Sequence, residues 1–129
     1  SKYNNLSVKI TFSTPLSHKT EAGADFFLMP SRFEPCGLNQ LYSMKYGTLP
    51  IVNMTGGLKD TVVDLENKEG TGFVLSPLNP ENIVKAAERA KEFYKDKESL
   101  TEARKRAMKV DSSWKKSAEE YMEVYTSLL

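Results

Sequence analysis

Short apolar runs separated by helix-length segments make up the first half of the chain, up to about residue 77. The runs are rich in β-branched and aromatic residues, and their length and composition predict strands. The predicted strands span residues 6–12, 26–29, 50–52 and 73–75. The last three are continuous and apolar, as parallel strands covered on both faces would be. The first alternates apolar and polar positions, which is typical of a half-exposed strand.

Helix-length segments connect these runs at residues 15–24, 37–46 and 58–65, and the second of them ends at Gly47. Glycine is suited to the position just after a helix. Alternating strands and helices predict right-handed β-α-β units and a parallel sheet. The pattern therefore indicates an α/β fold in which helices flank a parallel sheet.

From about residue 80 to residue 129 the chain is charged and helical in period, and it predicts three helices. Asn79 is placed to cap the first helix with Pro80 at its first position, and Ser99 and Glu102 have the spacing of a capping box for the second. The candidate caps of the last helix are Asp111, Ser112 and Ser113. The apolar stripe of the first helix is predicted at Ile83, Val84, Ala87, Ala90, Phe93 and Tyr94. Expected packing residues of the last helix are Trp114, Ala118, Tyr121, Val124, Tyr125 and Leu128.

Composition narrows the classes of function. The chain has 129 residues, 18 Lys and Arg against 17 Asp and Glu, and a net charge of +1, which excludes a strongly basic nucleic-acid binder. One cysteine makes neither an internal disulfide nor a cysteine zinc site, and the sequence holds no cluster of metal ligands. No apolar run approaches the ~20 residues that span a bilayer. The expectation is a soluble globular unit of a reducing compartment, or a piece of one, with neither nucleic acid nor membrane as partner.

The segment PSRFEPCGLNQLY, at residues 30–42, carries the candidate chemistry. It joins the second apolar run to a helix predicted to begin near Gly37, at the carboxyl edge of the sheet, where ligands bind in parallel α/β folds. The amides of Gly37, Leu38 and Asn39 would point out of the helix start, where they and the helix dipole suit a phosphate. Glu34 lies just before them. A carboxylate there is unfavourable unless it accepts hydrogen bonds from groups such as sugar hydroxyls.

Each of these features also has a purely structural interpretation. On spacing alone, a ligand site and an ordinary strand-to-helix junction are equally supported. Glu34 could be a solvated loop residue and Cys36 a small buried hydrophobe. Residues 55–57 (Thr55, Gly56 and Gly57) follow the next strand at the same edge, so they could line a shared cleft or simply form a tight turn. A structural or surface role is expected for His18.

The segment PSRFEPCGLNQLYSMKYGTLPIV, followed by TGGLKDTV, resembles the C-terminal domain of starch synthases and bacterial-type glycogen synthases. These are retaining glucosyltransferases of the two-domain GT-B architecture. The resemblance covers nearly all of the chain and is strongest at residues 12–62; FSTPLSHKTEAGADFFLMP and SWKKSAEEYMEVY extend it. It implies a Rossmann-like parallel sheet with flanking helices, residues 1–129 being part of a C-terminal nucleotide-sugar-binding domain. Strand and helix units would occupy about residues 6–77 and a helical tail about 80–129.

The resemblance implies roles for residues around the predicted helix start. Glu34 matches a glutamate that contacts the donor glucose and is required for transfer, and is therefore the candidate catalytic residue. Cys36, Gly37 and Leu38 match a loop whose backbone amides hold the sugar and the distal phosphate. Asn39 is a lesser candidate on the phosphate side.

The remaining implied substrate-binding residues lie farther from this loop. Phe12 matches an aromatic position that stacks on adenine. Tyr42 stands where the wider sugar-nucleotide transferase class has a ribose-binding Glu, and its presence favours ADP-glucose over UDP-sugars. Thr55, Gly56 and Gly57 match a loop that lines the cleft.

The implied reaction moves glucose from ADP-glucose to the 4-hydroxyl of an α-1,4-glucan chain end with retention, and without a metal or other cofactor. The implied partners are ADP-glucose, the α-1,4-glucan and an N-terminal domain of the same enzyme, without which the fragment is expected to be inactive. The alternatives are a UDP-sugar-dependent GT-B glycosyltransferase and a non-catalytic nucleotide- or glucan-binding α/β module. The implied compartment is the plastid for a plant-like enzyme and the cytoplasm for a bacterial one.

Topology adds an expectation for both ends of the chain. In the Rossmann strand order the four predicted strands would be numbers three to six, so the first would lack its neighbours. Residues 1–14 are then expected to be loosely held, paired with another edge, or completed by further sequence. The last helix of this architecture crosses to the N-terminal domain, so its apolar face is expected to lack a partner.

Overall fold

The computed structural model describes residues 3–129, which form three strands and six helices. In chain order they are α1 Thr14–Gly23, β1 Phe26–Met29, α2 Asn39–Lys45, β2 Leu49–Asn53, α3 Gly56–Thr61, β3 Phe73–Leu75, α4 Pro80–Phe93, α5 Lys97–Lys109 and α6 Trp114–Ser127. The strands form a sheet in the order β1-β2-β3, and both pairs are parallel. The predicted α/β fold, a Rossmann-like parallel sheet with flanking helices, is confirmed.

Strand β2 lies at the centre of the sheet, and all five of its residues are buried. Ile51 pairs with Leu28 of β1 on one side and with Phe73 of β3 on the other. The interpretation of this apolar run as a fully covered strand is therefore confirmed. Strand β1 departs from the same prediction, because it lies at the edge of the sheet and Leu28 is 46% exposed.

The predicted strand at residues 6–12 is wrong, because residues 6–13 form neither strand nor helix. Ile10 and Phe12 are each 97% exposed, and the alternating apolar positions meet no sheet face. Strands are stable only with neighbours that satisfy their backbone groups, and within residues 3–129 this segment has none. It is not paired with another edge either. The prediction of a loosely held segment covers residues 1–14, of which residues 1 and 2 lie outside the described residues.

The N-caps of α4 and α6 agree with the sequence predictions, whereas the starts of α5 and α3 differ from them. Asn79 caps α4 by accepting from the Asn82 amide at 2.7 Å, and Ser113 caps α6, as predicted. The capping box at Ser99 is wrong, since the N-cap of α5 is Asp96, three residues earlier, whose carboxylate accepts from the Ser99 amide at 3.1 Å. The helix predicted over residues 58–65 is α3, which begins two residues earlier, at Gly56, and ends at Thr61.

Helices cover both faces of the sheet, because Leu49 and Ile51 of β2 point to one face and Val52, which packs with Leu58 of α3, points to the other. The two larger clusters share the first face. One buried cluster joins α2, β2 and α5, and a second joins β2, β3 and α4. The first consists of Met44, Leu49, Leu100, Ala103 and Ala107. The second consists of Ile51, Phe73, Leu75, Ala86 and Ala90. The α4 stripe runs through Ala86 rather than through Val84 and Ala87, which are exposed.

Helix α6 buries none of its residues. Trp114 is 90% exposed and Tyr121 64%, so the packing role predicted for them is not met within residues 3–129. The expectation that this apolar face lacks a partner agrees with their exposure. None of the helices in the described part of the chain is long and apolar enough to cross a membrane.

Candidate functional site

The loop between β1 and α2 packs directly on the start of α3, where β2 ends. The amide of Gly57 donates to the carbonyl oxygens of Glu34 and Pro35, at 3.2 and 3.1 Å. A Cβ on Gly56 would overlap the Glu34 carbonyl, and one on Gly57 would overlap backbone atoms of Cys36. The two glycines are therefore required for this close approach, and the structure brings residues 34–36 and 55–57 into one junction.

The Glu34 carboxylate is oriented through a short chain of contacts that ends on β2. Its Oε2 atom accepts from the Ser31 hydroxyl at 3.4 Å. The Ser31 carbonyl in turn accepts from the Asn53 side-chain amide at 2.9 Å, and Asn53, the last residue of β2, is only 8% exposed. Glu34 itself is half-buried. The rigid central strand thus fixes the backbone that carries the candidate catalytic carboxylate.

A buried amide side chain also holds this loop from the side of α2. Gln40 is fully buried, and its Nε2 atom lies 3.1 Å from the Cys36 carbonyl, 3.0 Å from the Gly37 carbonyl and 3.2 Å from the Thr61 hydroxyl. The Thr61 hydroxyl donates to the Gly57 carbonyl at 2.7 Å. The loop, α2 and α3 are thereby connected by partly buried polar contacts.

Helix α2 begins at Asn39, two residues later than predicted, with Leu38 as its N-cap. Gly37 precedes it with φ of +75°, a left-handed conformation that favours glycine. Leu38 contributes no capping hydrogen bond through its side chain, and the first amides of a helix have no acceptor within it. Cys36, Leu38 and Asn39 are exposed, so the loop is open to solvent at this point.

The other predicted substrate-binding residues border a groove of about 760 Å³ on the α1 side of α2. Phe12, Asn39 and Tyr42 line it together with His18. His18 is held by a 3.2 Å contact between its Nδ1 atom and the Tyr46 hydroxyl, and its ring centroid lies 5.7 Å from that of Tyr42. The structure therefore places these residues beside one groove, and Glu34 with Cys36, Gly37 and Leu38 at the junction next to it.

Sequence reasoning missed Ser31, Gln40, Asn53 and Thr61. Of these, Asn53 offered a signal, since a polar residue at the end of a buried apolar strand lies at the ligand-binding edge of the sheet. The partners of Gln40 and Asn53 include residues 21 and 22 positions away, which local spacing does not report.

The cationic residues near the loop remain without a role in it. Arg32 and Lys59 are exposed, and the Lys45 ammonium lies 3.4 Å from the Met108 carbonyl, on α5. No group of three or more His, Cys, Asp or Glu side chains that could hold a metal occurs among residues 3–129.

The family model described as Glycosyl transferases group 1 matches residues 4–110. Glycogen synthase of Nitrosospira multiformis is 51% identical over 129 residues, covering 96% of this chain and 26% of that protein. Glycogen synthase of Kosmotoga olearia is 46% identical over 126 residues, with 96% and 26% covered.

Among solved structures, the catalytic domain of Starch Synthase IV from Arabidopsis thaliana, bound to ADP and acarbose, matches with a TM-score of 0.82 and 36% identity. The match covers 92% of this chain and 25% of that one. These similarities confirm the resemblance to starch and glycogen synthases. The chain spans about a quarter of the length of the relatives it matches.

Proposed function

We propose that this chain, which belongs to the Glycosyl transferases group 1 family, supplies part of the donor-binding half of a retaining glucosyltransferase. The enzyme would transfer glucose from ADP-glucose to the 4-hydroxyl of an α-1,4-glucan chain end. An N-terminal domain of the same polypeptide would contribute the remaining half of the cleft. The compartment would be the plastid in a plant lineage and the cytoplasm in a bacterial one.

The observation that carries this proposal is the junction between the Glu34 loop and α3. Gly57 donates to the Glu34 and Pro35 carbonyls, and a half-buried carboxylate lies in the same loop as the exposed start of α2. An acid beside unpaired helix amides is suited to a ligand that carries both hydroxyls and phosphates. A sugar nucleotide has both. The ADP and acarbose bound to the Arabidopsis starch synthase support the choice of donor and acceptor.

In the proposed reaction the bond between the anomeric carbon and the diphosphate breaks, the glucan hydroxyl oxygen bonds to that carbon on the same face, and the hydroxyl proton leaves with the departing diphosphate. Negative charge develops on the leaving ADP, so preorganised donors lower the barrier. The amides of Gly37, Leu38 and Asn39 would bind the distal phosphate. Glu34 would accept hydrogen bonds from the glucose and balance the positive charge that develops at the anomeric carbon.

The neighbouring groove would hold the nucleoside. Phe12 presents an exposed ring for stacking on adenine, and Asn39 and Tyr42 line the same groove. Tyr42 stands where the wider sugar-nucleotide transferase class has a ribose-binding Glu, and the resemblance associates this replacement with ADP-glucose donors rather than UDP-sugars. Countercharge for the diphosphate would come from Arg and Lys side chains outside residues 1–129.

Glucose transfer by the full-length enzyme tests the proposal. Glu34→Gln keeps the shape of the side chain but removes its charge, and it should lower kcat at least about a hundredfold with little change in the midpoint of thermal unfolding. Glu88→Gln, an exposed position on α4, is the matched control and should retain wild-type activity. Near-normal transfer by Glu34→Gln would exclude Glu34 as the catalytic residue.

Binding measurements separate the alternatives. Titration of the chain with ADP and with UDP, followed by NMR shifts at Gly37 and Phe12, should show a response to ADP at lower concentration. A stronger response to UDP would favour the UDP-sugar alternative. Glucan binding with no response to either nucleotide would indicate a non-catalytic module. Detectable transfer by residues 1–129 alone would refute the expectation that this chain is inactive without its N-terminal domain.

A further inference from the structure

We infer that Gln40 and Thr61 are positioning residues that hold the Glu34 loop in its ligand-binding shape. The inference rests on the proposed function, because it gives these residues a task in the same donor site. Neither side chain belongs to the loop itself. Gln40 lies in the first turn of α2, and Thr61 is the last residue of α3.

The two side chains complete a closed ring of hydrogen bonds. Gln40 Nε2, which carries two N–H groups, lies within hydrogen-bonding distance of three acceptors, the Cys36 and Gly37 carbonyls and the Thr61 hydroxyl oxygen. Within α3, the Thr61 hydroxyl donates a hydrogen bond to the Gly57 carbonyl at 2.7 Å. The Gly57 amide donates to the Glu34 and Pro35 carbonyls. The Glu34 loop, α2 and α3 are therefore connected through partly buried hydrogen bonds.

The burial of Gln40 argues that this ring does more than fill space. An amide side chain buried in full is unfavourable unless its polar atoms are paired. Among the described residues the Gln40 Oε1 atom has no hydrogen-bond donor, so the side chain carries a cost that a methionine of similar size would avoid. The Nε2 contacts are what this residue type adds. They turn the Cys36 and Gly37 carbonyls inward.

Inward carbonyls have a direct consequence for the amides of the same loop. A peptide group is planar, with its C=O and N–H on opposite sides. When the carbonyls of Cys36 and Gly37 point into the protein, the N–H groups of Gly37 and Leu38 point away from it. Those are the amides assigned to the distal phosphate. Gln40 also fills the space where a Cβ on Gly37 would lie, so it reinforces the need for glycine there.

The test uses the full-length enzyme and compares four single variants and the double variant Gln40→Met/Thr61→Val. Gln40→Met and Thr61→Val remove the donors of the ring with little change in volume, and Thr61→Ser restores the hydroxyl. Thr48→Val is the control, because it is the same substitution as Thr61→Val, Thr48 is as buried as Gln40, and its hydroxyl lies against the Glu21 and Ala24 carbonyls, away from the loop. For each we would measure kcat and KM for ADP-glucose, the thermal midpoint, and hydrogen exchange of the peptides that contain residues 34–40 and 56–61.

Gln40→Met and Thr61→Val should each lower kcat/KM about tenfold or more, with faster exchange in both peptides. The double variant should lose less than the product of the single losses, because both act through one network. Thr61→Ser should retain activity within about twofold, and Thr48→Val should lower the midpoint without lowering kcat/KM. The inference is overturned if Gln40→Met and Thr61→Val lose only stability, as Thr48→Val does.

Failure of the proposed function is recognised separately. If the wild-type enzyme transfers no glucose from ADP-glucose, the donor assignment falls and the hydrogen-exchange data alone decide about the ring. Faster exchange of residues 34–40 in Thr61→Val, restored in Thr61→Ser, would still support loop positioning. Unchanged exchange would overturn it.

Discussion

The Glu34 loop and helix α6 differ in how much of the molecule holds them. The loop has no regular structure, yet β2, α2 and α3 each bond to it through named backbone and side-chain groups. Helix α6 is regular over fourteen residues and buries none of them. Regular secondary structure and structural constraint are therefore separate properties in this chain. The candidate site lies where constraint is greatest, next to the buried strand β2.

The largest difference in the free energy of unfolding is expected between a variant at the centre of the sheet and a variant on α6. Leu49→Ala removes a fully buried side chain from the cluster that joins β2 to α2 and α5, and should lower the free energy of unfolding by about 2–5 kcal/mol. Val124→Ala, at a residue 56% exposed on α6, should change it by no more than about 0.5 kcal/mol. Urea unfolding measures both. Equal losses would show that α6 belongs to the same cooperative core.

A glycine pair tests the contact between the loop and α3. Gly56 has φ of +45°, and a Cβ there meets the Glu34 carbonyl, so Gly56→Ala should destabilise the chain by about 2 kcal/mol or more. Gly23 ends α1 with open space around it, and Gly23→Ala should be neutral or slightly stabilising. Thermal and urea unfolding of the two variants give the comparison. A neutral Gly56→Ala would mean that the loop is free to move away from α3.

A charged contact on the β3 side has an intermediate expected effect. Asp64 accepts from the Val74 amide at 2.7 Å and from Arg89 at 2.6 Å. Its partial burial opposes ionisation, but the hydrogen bonds from Arg89 and the backbone outweigh it and hold the pKa of this carboxyl below its usual range. At neutral pH, Asp64→Asn should cost about 2 kcal/mol of stability. Urea unfolding at neutral pH measures this loss.

The sign of the pH dependence follows from the lowered pKa. The contribution of Asp64 is fully present above the pKa of the unfolded chain, about 4, and is lost as pH falls through the lower folded value. The gap between wild type and Asp64→Asn should therefore narrow in urea unfolding below about pH 4. Glu66, 80% exposed beside the same Arg89, is the control, and Glu66→Gln should cost less than about 0.5 kcal/mol. A gap that stays constant into acid would contradict the assigned contacts.

The sequence predicted the elements whose signals are local. Three apolar runs became β1, β2 and β3, and the Asn79 and Ser113 caps lie where residue type and spacing place them. Residues 6–12 failed because alternation identifies a possible strand face but not the neighbour that must pair with it. Ser99 failed because a second residue, Asp96, has the same three-residue spacing to an amide and reaches it.

The motif of the candidate site could be predicted from the sequence, but the residues that hold it in position could not. Glu34 and Gly37 follow from a strand passing into a helix through a glycine, which is a local pattern. Gln40 and Thr61 are polar residues on helices, and nothing nearby in the sequence distinguishes them from solvated ones. The burial of Gln40 and the contact of Thr61 with it become evident only when α2 and α3 are packed against the same loop. Residues that bind ligands can thus be predicted from the chain, whereas those that position them require the fold.

The smallest expected difference separates the caps of α4 and α6. Asn79→Ala removes a 2.7 Å bond to the Asn82 amide at the start of a helix that buries Ala86 and Ala90, so the loss of about 1 kcal/mol should appear in global unfolding. Ser113→Ala removes a weaker 3.3 Å bond to Lys116 at the start of α6. Because α6 can fray without exposing core residues, its loss should stay below about 0.5 kcal/mol globally and appear instead as faster amide exchange within α6. Urea unfolding and hydrogen exchange measured together distinguish the two. If Ser113→Ala lowered global stability as much as Asn79→Ala, α6 would belong to the cooperative core. The contrast between a constrained Glu34 loop and a weakly constrained α6 would then be wrong.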